Sequence, residues 1–353
     1  MRHVHIGAGA LGLGLIAQLT GTDHGIDISV VQRAVGDSAA RLESLASNLR
    51  YERVIASNKT APDSWPSCHV GLSEAFALES REELRRAICD PSCLLLTAAL
   101  GEGGLDAQVP MLSSLLEERA ASSSGSPLCV IACENTIGDE YLRLSRQALD
   151  GVVFAQCLVD RMCSPPTIGS DGVVRVETED YGAWLIERVQ GATSEVEAAL
   201  SGVQGVDFVD DLPLWRRRKR WLMNAPHLAA GIFARNADNP HVDDYVNANA
   251  ALFRAVQLEC AEAFHASSPE IELDELHDYN GEVFGRVSSF PMLTRKVLRR
   301  LHPDKLEELL RTSNEIIVGP SCAYMQSQRH PPDILTSALH AMIDLVDSRD
   351  YVG

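Results

Sequence analysis

Short apolar runs alternate with longer mixed stretches from residue 1 to about residue 210, and the alternation then stops. The runs predict strands before Gly7, at Ile26–Gln32, near Arg53–Ser57 and Cys68–Leu72, and at Cys93–Gly101, Leu128–Cys133 and Gly151–Val159. Later ones are expected at Val173–Thr178, Ala183–Glu187 and Val206–Val209. Helix-period stretches lie between them, at 34–50, Glu79–Ile88, Val109–Ala121, Asp139–Leu149 and Glu195–Leu200. Strands that are apolar throughout, each followed by a helix, imply a mostly parallel sheet covered on both faces. From 213 on the pattern is helical, over 213–224, 227–236, 243–266, 271–284, 292–301, 304–315 and 331–347. The breaks fall at Pro226, Pro240, Pro269, Pro291, Pro303, Pro320, Pro331 and Pro332. The expected fold is therefore α/β: an N-terminal Rossmann-type, mostly parallel sheet over 1–208 and an all-α substrate domain over 209–353.

The turn after the first strand carries Gly7, Gly9 and Gly12 in G-x-G-x-x-G spacing, with Ala8 and Leu11 between them. Such a turn bends tightly at the first glycine, lets a pyrophosphate approach the second, and packs helix on strand at the third. A strand before it and an apolar helix after it are the context that gives this motif meaning. Ligands of open α/β sheets bind beyond the strand ends, which makes Thr97 and Ala98 further candidates for cofactor contact. Asn135, just past the strand Leu128–Cys133, is placed to touch a nicotinamide or a substrate oxygen. Gln32-Arg33 stands where such folds often carry a carboxylate for the ribose hydroxyls. A guanidinium there suits a ribose 2′-phosphate, so the cofactor is expected to be NAD or NADP, with a lean to NADP.

Composition narrows the partners. The net charge is −18, from 31 basic and 49 acidic residues, which argues against a nucleic-acid backbone as partner. The basic run Arg216–Arg220 remains a candidate pocket for a small anion. The nine cysteines are odd in number, scattered and free of C-x-x-C spacing, so they read as buried thiols of a reducing cytosol. No metal site is expected. No apolar run reaches membrane-spanning length and no secretory leader opens the chain. A cytoplasmic protein is expected, as monomer or homodimer.

Chemistry concentrates at Lys219-Arg220-Trp221-Leu222-Met223-Asn224-Ala225-Pro226-His227. At about 100° per residue, Lys219, Asn224 and His227 fall near 0°, 140° and 80° of a helical wheel, one broad face. Pro226 is expected to kink the helix or to restart it, with Asn224 at the join. An alcohol that gives up hydride also gives up its proton. A lysine whose pKa is lowered by burial or by neighbouring cations can take that proton without a metal.

Lys219-x4-Asn224-x2-His227 resembles the signature of the polyol-specific long-chain dehydrogenases and reductases, and most closely their mannitol-1-phosphate 5-dehydrogenase branch. Further similar stretches are Gly7-Ala8-Gly9, Thr97-Ala98…Gly101, Ala132-Cys133-Glu134-Asn135, Val159-Asp160-Arg161 and Arg286-Val287…Pro291…Arg295-Lys296. The resemblance implies metal-independent hydride transfer between a nicotinamide cofactor and a polyol or ketose, with or without a phosphate. It implies Lys219 as acid/base, Asn135 and Asn224 on the reacting oxygen, and His227 on the substrate. Asp160, Arg161, Arg295 and Lys296 join the substrate set, the last two for a phosphate. Two alternatives stand beside it: a ketopantoate reductase-like keto-acid reductase using NADPH, and a nucleotide-sensing protein without catalysis.

Overall fold

The computed structural model describes residues 1–101, 103–122, 127–135, 137–189, 193–298, 313–328 and 330–347. In chain order the strands are β1 (Arg2–Ile6), β2 (Asp27–Gln32), β3 (Arg50–Ile55), β4 (Ser67–Gly71), β5 (Glu74–Ala77), β6 (Cys93–Ala98) and β7 (Leu128–Ala132). They continue with β8 (Val152–Ala155), β9 (Cys157–Asp160), β10 (Thr167–Ile168), β11 (Val174–Thr178), β12 (Ala183–Glu187) and β13 (Val206–Val209).

Six strands form a wholly parallel sheet in the order β5-β2-β1-β6-β7-β8. The order reverses at β1, whose Ile6 is level with Val31 of β2 and Ala98 of β6. That is the switch point beyond which ligands of such sheets bind. Alternate side chains feed opposite faces. Val4, Ile6, Leu96, Val130 and Ala132 pack on one side with Leu84, Leu112, Leu115 and Leu116 of the helices Arg81–Cys89 and Gly104–Ala121. Leu95, Cys129, Ile131 and Ala155 pack on the other with Leu15, Ile16, Leu19 and Trp184. Both faces are covered, which is why the inner strands β6 and β7 are largely apolar.

Two smaller sheets join this unit. One has the order β10-β11-β3-β4, with β11 and β3 parallel and the outer pairs antiparallel. The other has the order β13-β12-β9. The strand expected over Gly151–Val159 is in fact two. β8 ends the large sheet beside β7, and β9 pairs antiparallel with β12. The change of partner falls at Gln156, whose carbonyl accepts the Glu187 amide. β5 was not expected: Glu74-Ala75-Phe76-Ala77 has no β-branched residue, and pairing with β2 makes it a strand.

The chain divides into two compact units, Met1–Ala56 with Asp63–Leu212, and Ser57–Pro62 with Pro213–Gly353. The sequence boundary was set at 208/209, and it did not separate out Ser57–Pro62. That short segment is bound within the helical unit: Asn58 donates through Nδ2 to Asp243 Oδ2 (2.8 Å) and to the Ser288 carbonyl (2.9 Å). The helical core gathers Leu222, Ala225, Leu228, Ile232, Cys260, Phe264, Ile317 and Leu335. The helix expected over 304–315 lies largely outside the described residues, as does the end of the one expected over 292–301.

Pro226 lies in the first turn of Ala225–Asn236 with Asn224 at the join, as expected, but the chain keeps helical dihedrals into it and so does not break. Leu212–Lys219 continues through a wide turn, Arg220–Asn224, into Ala225–Asn236. Lys219, Asn224 and Ala225 all keep right-handed helical dihedrals. In the wide turn the Ala225 amide bonds the Arg220 carbonyl, five residues back. An ordinary helix would press the proline ring against the carbonyl four residues earlier. Widening by one residue shifts that carbonyl away. The same pairing recurs at Ser313–Val318, a wide turn followed by Gly319-Pro320 inside a helix expected to break there.

Candidate active site

The glycine turn is built as its spacing demands. Gly7 has φ +118°, and any side chain on it would run into the Ala99 carbonyl. A side chain on Gly12 would run into the Gly7 carbonyl and the His5 ring. Gly9 differs, since a Cβ there meets nothing within 4 Å. The backbone at Gly9 is therefore open to a ligand, as a pyrophosphate cradle requires.

Gln32 is engaged within the glycine turn. Its side chain is turned inward, and its Oε1 accepts the buried Ala8 amide at 2.7 Å. A buried amide needs an acceptor, and Gln32 supplies it. Arg41, which sequence reasoning did not single out, donates through Nη1 to the Ala8 carbonyl at 3.0 Å. Both ends of Ala8 are thus held from side chains beyond the turn. Arg33 is exposed, and Leu11 is half-buried.

Thr97 is also turned away from the strand ends. It is fully buried, and its hydroxyl lies 2.7 Å from His3 Nε2 and 2.6 Å from His5 Nδ1. Ala98 is buried at the end of β6, where its carbonyl accepts the Cys133 amide at 2.7 Å. Asn135 is exposed just beyond β7. Its neighbour Glu134 was overlooked as a site residue. Glu134 Oε1 accepts the Leu100 and Gly101 amides at 2.5 and 2.7 Å, tying the loop after β6 to the loop after β7. Burial pushes its carboxyl above the usual range, and the two amides partly oppose that. The signal in the sequence was a carboxylate directly after a wholly apolar strand.

Asp160 is buried at the end of β9. Arg161 is committed to the fold. It donates through Nε to the Tyr181 carbonyl (2.6 Å) and through Nη1 to the Gly14 carbonyl (2.6 Å) and Gln18 Oε1 (2.7 Å). Burial lowers its pKa to about 10.

In the helical unit Lys219 is 9% exposed, and Asn224 and His227 are half-buried. The wide turn corrects the wheel. One residue is absorbed between Lys219 and the helix beyond, so later positions rotate back by about 100°. Asn224 then falls near 40° and His227 near −20° of Lys219, by the same rough arithmetic. The three share a face of about 60° rather than one of about 140°.

Three cations of the basic run are engaged within the helical unit. Arg217 donates to Ser268 Oγ at 2.5 Å and lies over the Phe264 ring. Arg218 pairs with Glu275 at 3.2 Å between Trp215 and Tyr279. Arg220 pairs with Glu315 at 3.4 Å. These three cations are held by partners of their own. Arg295 and Lys296 are exposed on the helix Thr294–Leu298. Among the described residues no three His, Cys, Asp or Glu side chains converge as a metal would need. No described helix is long and apolar enough to cross a membrane.

Residues 1–198 match the family model described as the mannitol dehydrogenase Rossmann domain. The chain belongs to the mannitol dehydrogenase family. As a member it is an oxidoreductase of CH–OH groups with a nicotinamide-dinucleotide-binding Rossmann domain. It is 32% identical over 241 residues to the mannitol-1-phosphate 5-dehydrogenase of Geobacillus thermodenitrificans, a match spanning 65% of this chain and 58% of that enzyme. The Aureobasidium melanogenum enzyme of the same name is 25% identical over 335 residues, 91% of this chain and 80% of its own.

Among solved structures, Pseudomonas fluorescens mannitol 2-dehydrogenase in complex with NAD and D-mannitol superposes with a TM-score of 0.59. Its identity is 16%, covering 99% of this chain and 86% of that one. A 2-dehydropantoate 2-reductase from Methylococcus capsulatus reaches 0.54, also at 16% identity, covering 99% and 98%. The fold is thus shared with keto-acid reductases. The family match separates the two.

Proposed function

We propose that this protein interconverts a polyol and its ketose without a metal, in the manner of the mannitol-1-phosphate 5-dehydrogenases. Bound nicotinamide would supply the hydride acceptor. Lys219 acts as general base toward the substrate hydroxyl and as general acid in the reverse direction. Asn224 and Asn135 donate hydrogen bonds to the oxygen as charge develops on it. His227 orients a neighbouring substrate hydroxyl, and Arg295 with Lys296 holds a phosphate where the substrate carries one. Gly7, Ala8, Gly9, Leu11, Gly12 and Ala98 form the dinucleotide cradle, with Glu134 positioning the loop beside Asn135. Thr97 supports that cradle from within the core. Arg161 is left out of the substrate set, because its donors are spent on the backbone and on Gln18. Arg33, exposed after β2 with Gln32 turned inward, favours NADP over NAD.

The observation that carries this reading is the wide turn at Arg220–Asn224, which brings Lys219, Asn224 and His227 to one narrow face of a helix. Wide turns of this kind are frequent at functional sites. The test is turnover of Lys219→Ala with mannitol 1-phosphate and mannitol. General acid–base loss predicts a fall in kcat of about 10²–10⁴, with the acidic limb of the pH profile for alcohol oxidation removed. Unchanged kcat with an unchanged pH profile would refute the assignment.

A further inference from the structure

His3 and His5 lie on one face of β1, fully buried, with ring centroids 6.0 Å apart. They are the middle of a continuous chain of polar contacts. Thr20 Oγ1 donates to the Ile16 carbonyl at 2.8 Å and meets His3 Nδ1 at 2.8 Å. His3 Nε2 meets Thr97 Oγ1 at 2.7 Å, and Thr97 Oγ1 meets His5 Nδ1 at 2.6 Å. His5 Nε2 meets the Gly7 carbonyl at 3.0 Å.

The proton count of this relay does not balance. It has five contacts and ends at both sides on a carbonyl, which can only accept. Every contact needs one proton. Two hydroxyls and two neutral imidazoles carry four between them. The neutral relay therefore leaves one contact in which lone pair faces lone pair. One added proton closes all five, whether it rests on His3 or on His5.

Burial works against that proton. It holds His3 well below its usual value and His5 at about 4, and His5 adds its own repulsion to His3. Among the described residues no carboxylate is hydrogen-bonded to the relay; Glu134 acts on Cys133 and Glu179 on Arg161. The first helix, Gly12–Ala17 with the turn to Thr20 that follows it, contributes Gly12, Ile16 and Thr20, and β6 contributes Thr97. The same core face holds the thiols Cys129, Cys133 and Cys157; burial raises the first to about 12 and the second well above its usual value. Arg161, held at Gly14 and Gln18 of the first helix, is a further cation on that side. No contact of the relay is to an anion, and it ends on the Gly7 carbonyl of the turn proposed as a pyrophosphate cradle.

We propose that binding of a nicotinamide dinucleotide at the glycine turn draws one proton from solvent into the His3–Thr97–His5 relay. The proton completes its fifth hydrogen bond and holds the Gly7 peptide. This rests on the dinucleotide reading of that turn. Thr97, His3 and His5 are positioning residues on this account, and dinucleotide affinity falls as pH rises.

The experiment is calorimetric titration of the full chain with NADH near pH 6.5, in two buffers of small and large ionisation enthalpy. The difference between the apparent enthalpies gives the protons taken up. Wild type should take up close to one per NADH, and Kd should weaken up to about tenfold per pH unit above that range. Thr97→Val splits the relay into two parts that are each satisfied when neutral, so uptake should vanish while NADH still binds. Thr97→Ser keeps the hydroxyl and should restore it. Imidazole ¹⁵N spectra of wild type, with and without NADH, report the same proton directly should the valine variant fail to fold. NADH binding without proton uptake would overturn the proposal alone. So would equal uptake in Thr97→Val and wild type. Failure to bind either NADH or NADPH would instead overturn the dinucleotide reading.

Discussion

Gln32→Leu separates two roles that the sequence assigns to one position. In the structure the side chain is 8% exposed, and its Oε1 is the acceptor for the Ala8 amide at 2.7 Å. Leucine is close in volume, so overpacking or cavity costs stay below about 1.5 kcal/mol. The dominant loss is a buried amide left without an acceptor, about 1–3 kcal/mol. Arg41 still holds the Ala8 carbonyl, so the turn is weakened on one side only. In a domain of this size each kcal/mol moves Tm by roughly 2–4 °C. Thermal unfolding followed by circular dichroism should therefore show Tm lowered by roughly 2–12 °C. Because the side-chain oxygen is spent on the Ala8 amide, the ratio of NADP to NAD affinity should not move. Parallel NADH and NADPH titrations of the variant check this. A ratio changed by more than about fivefold, roughly 1 kcal/mol, would refute the inward role. So would an unchanged Tm.

Arg33→Ala should do the reverse: leave Tm in place and lower the preference for NADPH, measured as the ratio of kcat/KM with the two cofactors. Gly9→Ala meets open space and should keep Tm while weakening NADH binding; Gly7→Ala, at φ +118° and against the Ala99 carbonyl, should lower Tm or prevent folding. Replacing both Arg295 and Lys296 by alanine should raise KM for mannitol 1-phosphate and leave KM for mannitol unchanged; equal effects on both would remove the phosphate assignment. Glu134 titrates above its usual 4.5, so its contribution to stability is present below that value and is lost as pH rises through the raised one. Glu134→Gln keeps an oxygen for the Leu100 and Gly101 amides and removes the titration. Its Tm should therefore vary less than that of wild type above pH 4.5, as unfolding scans across pH would show.

By itself the sequence determined the parallel sheet, the glycine turn and the helical second half. Each rests on a local rule: an apolar strand between covering helices, a glycine where no Cβ fits, a 3.6-residue period. It also determined which residue types could do hydride chemistry, through Lys219, Asn224 and His227. Tertiary structure decided where polar side chains spend their hydrogen bonds. Gln32 and Thr97 stand at strand ends that suggest ligand contact, yet Ala8 and the two histidines claim them, because buried donors and acceptors must be matched inside the core. Arg161 was offered by the family resemblance and the run Arg216–Arg220 by its charge. Their partners lie far along the chain: Tyr181 for Arg161, and Ser268, Glu275 and Glu315 for the run. No local pattern announces them. The helix at Pro226 shows the same division. Proline forbids one hydrogen bond at a known place, which the sequence states. Whether the chain kinks, restarts or widens by one residue depends on the packing of Leu222, Ala225 and Leu228 in the helical core. That packing keeps the helix continuous, and so draws Lys219, Asn224 and His227 onto one side of it.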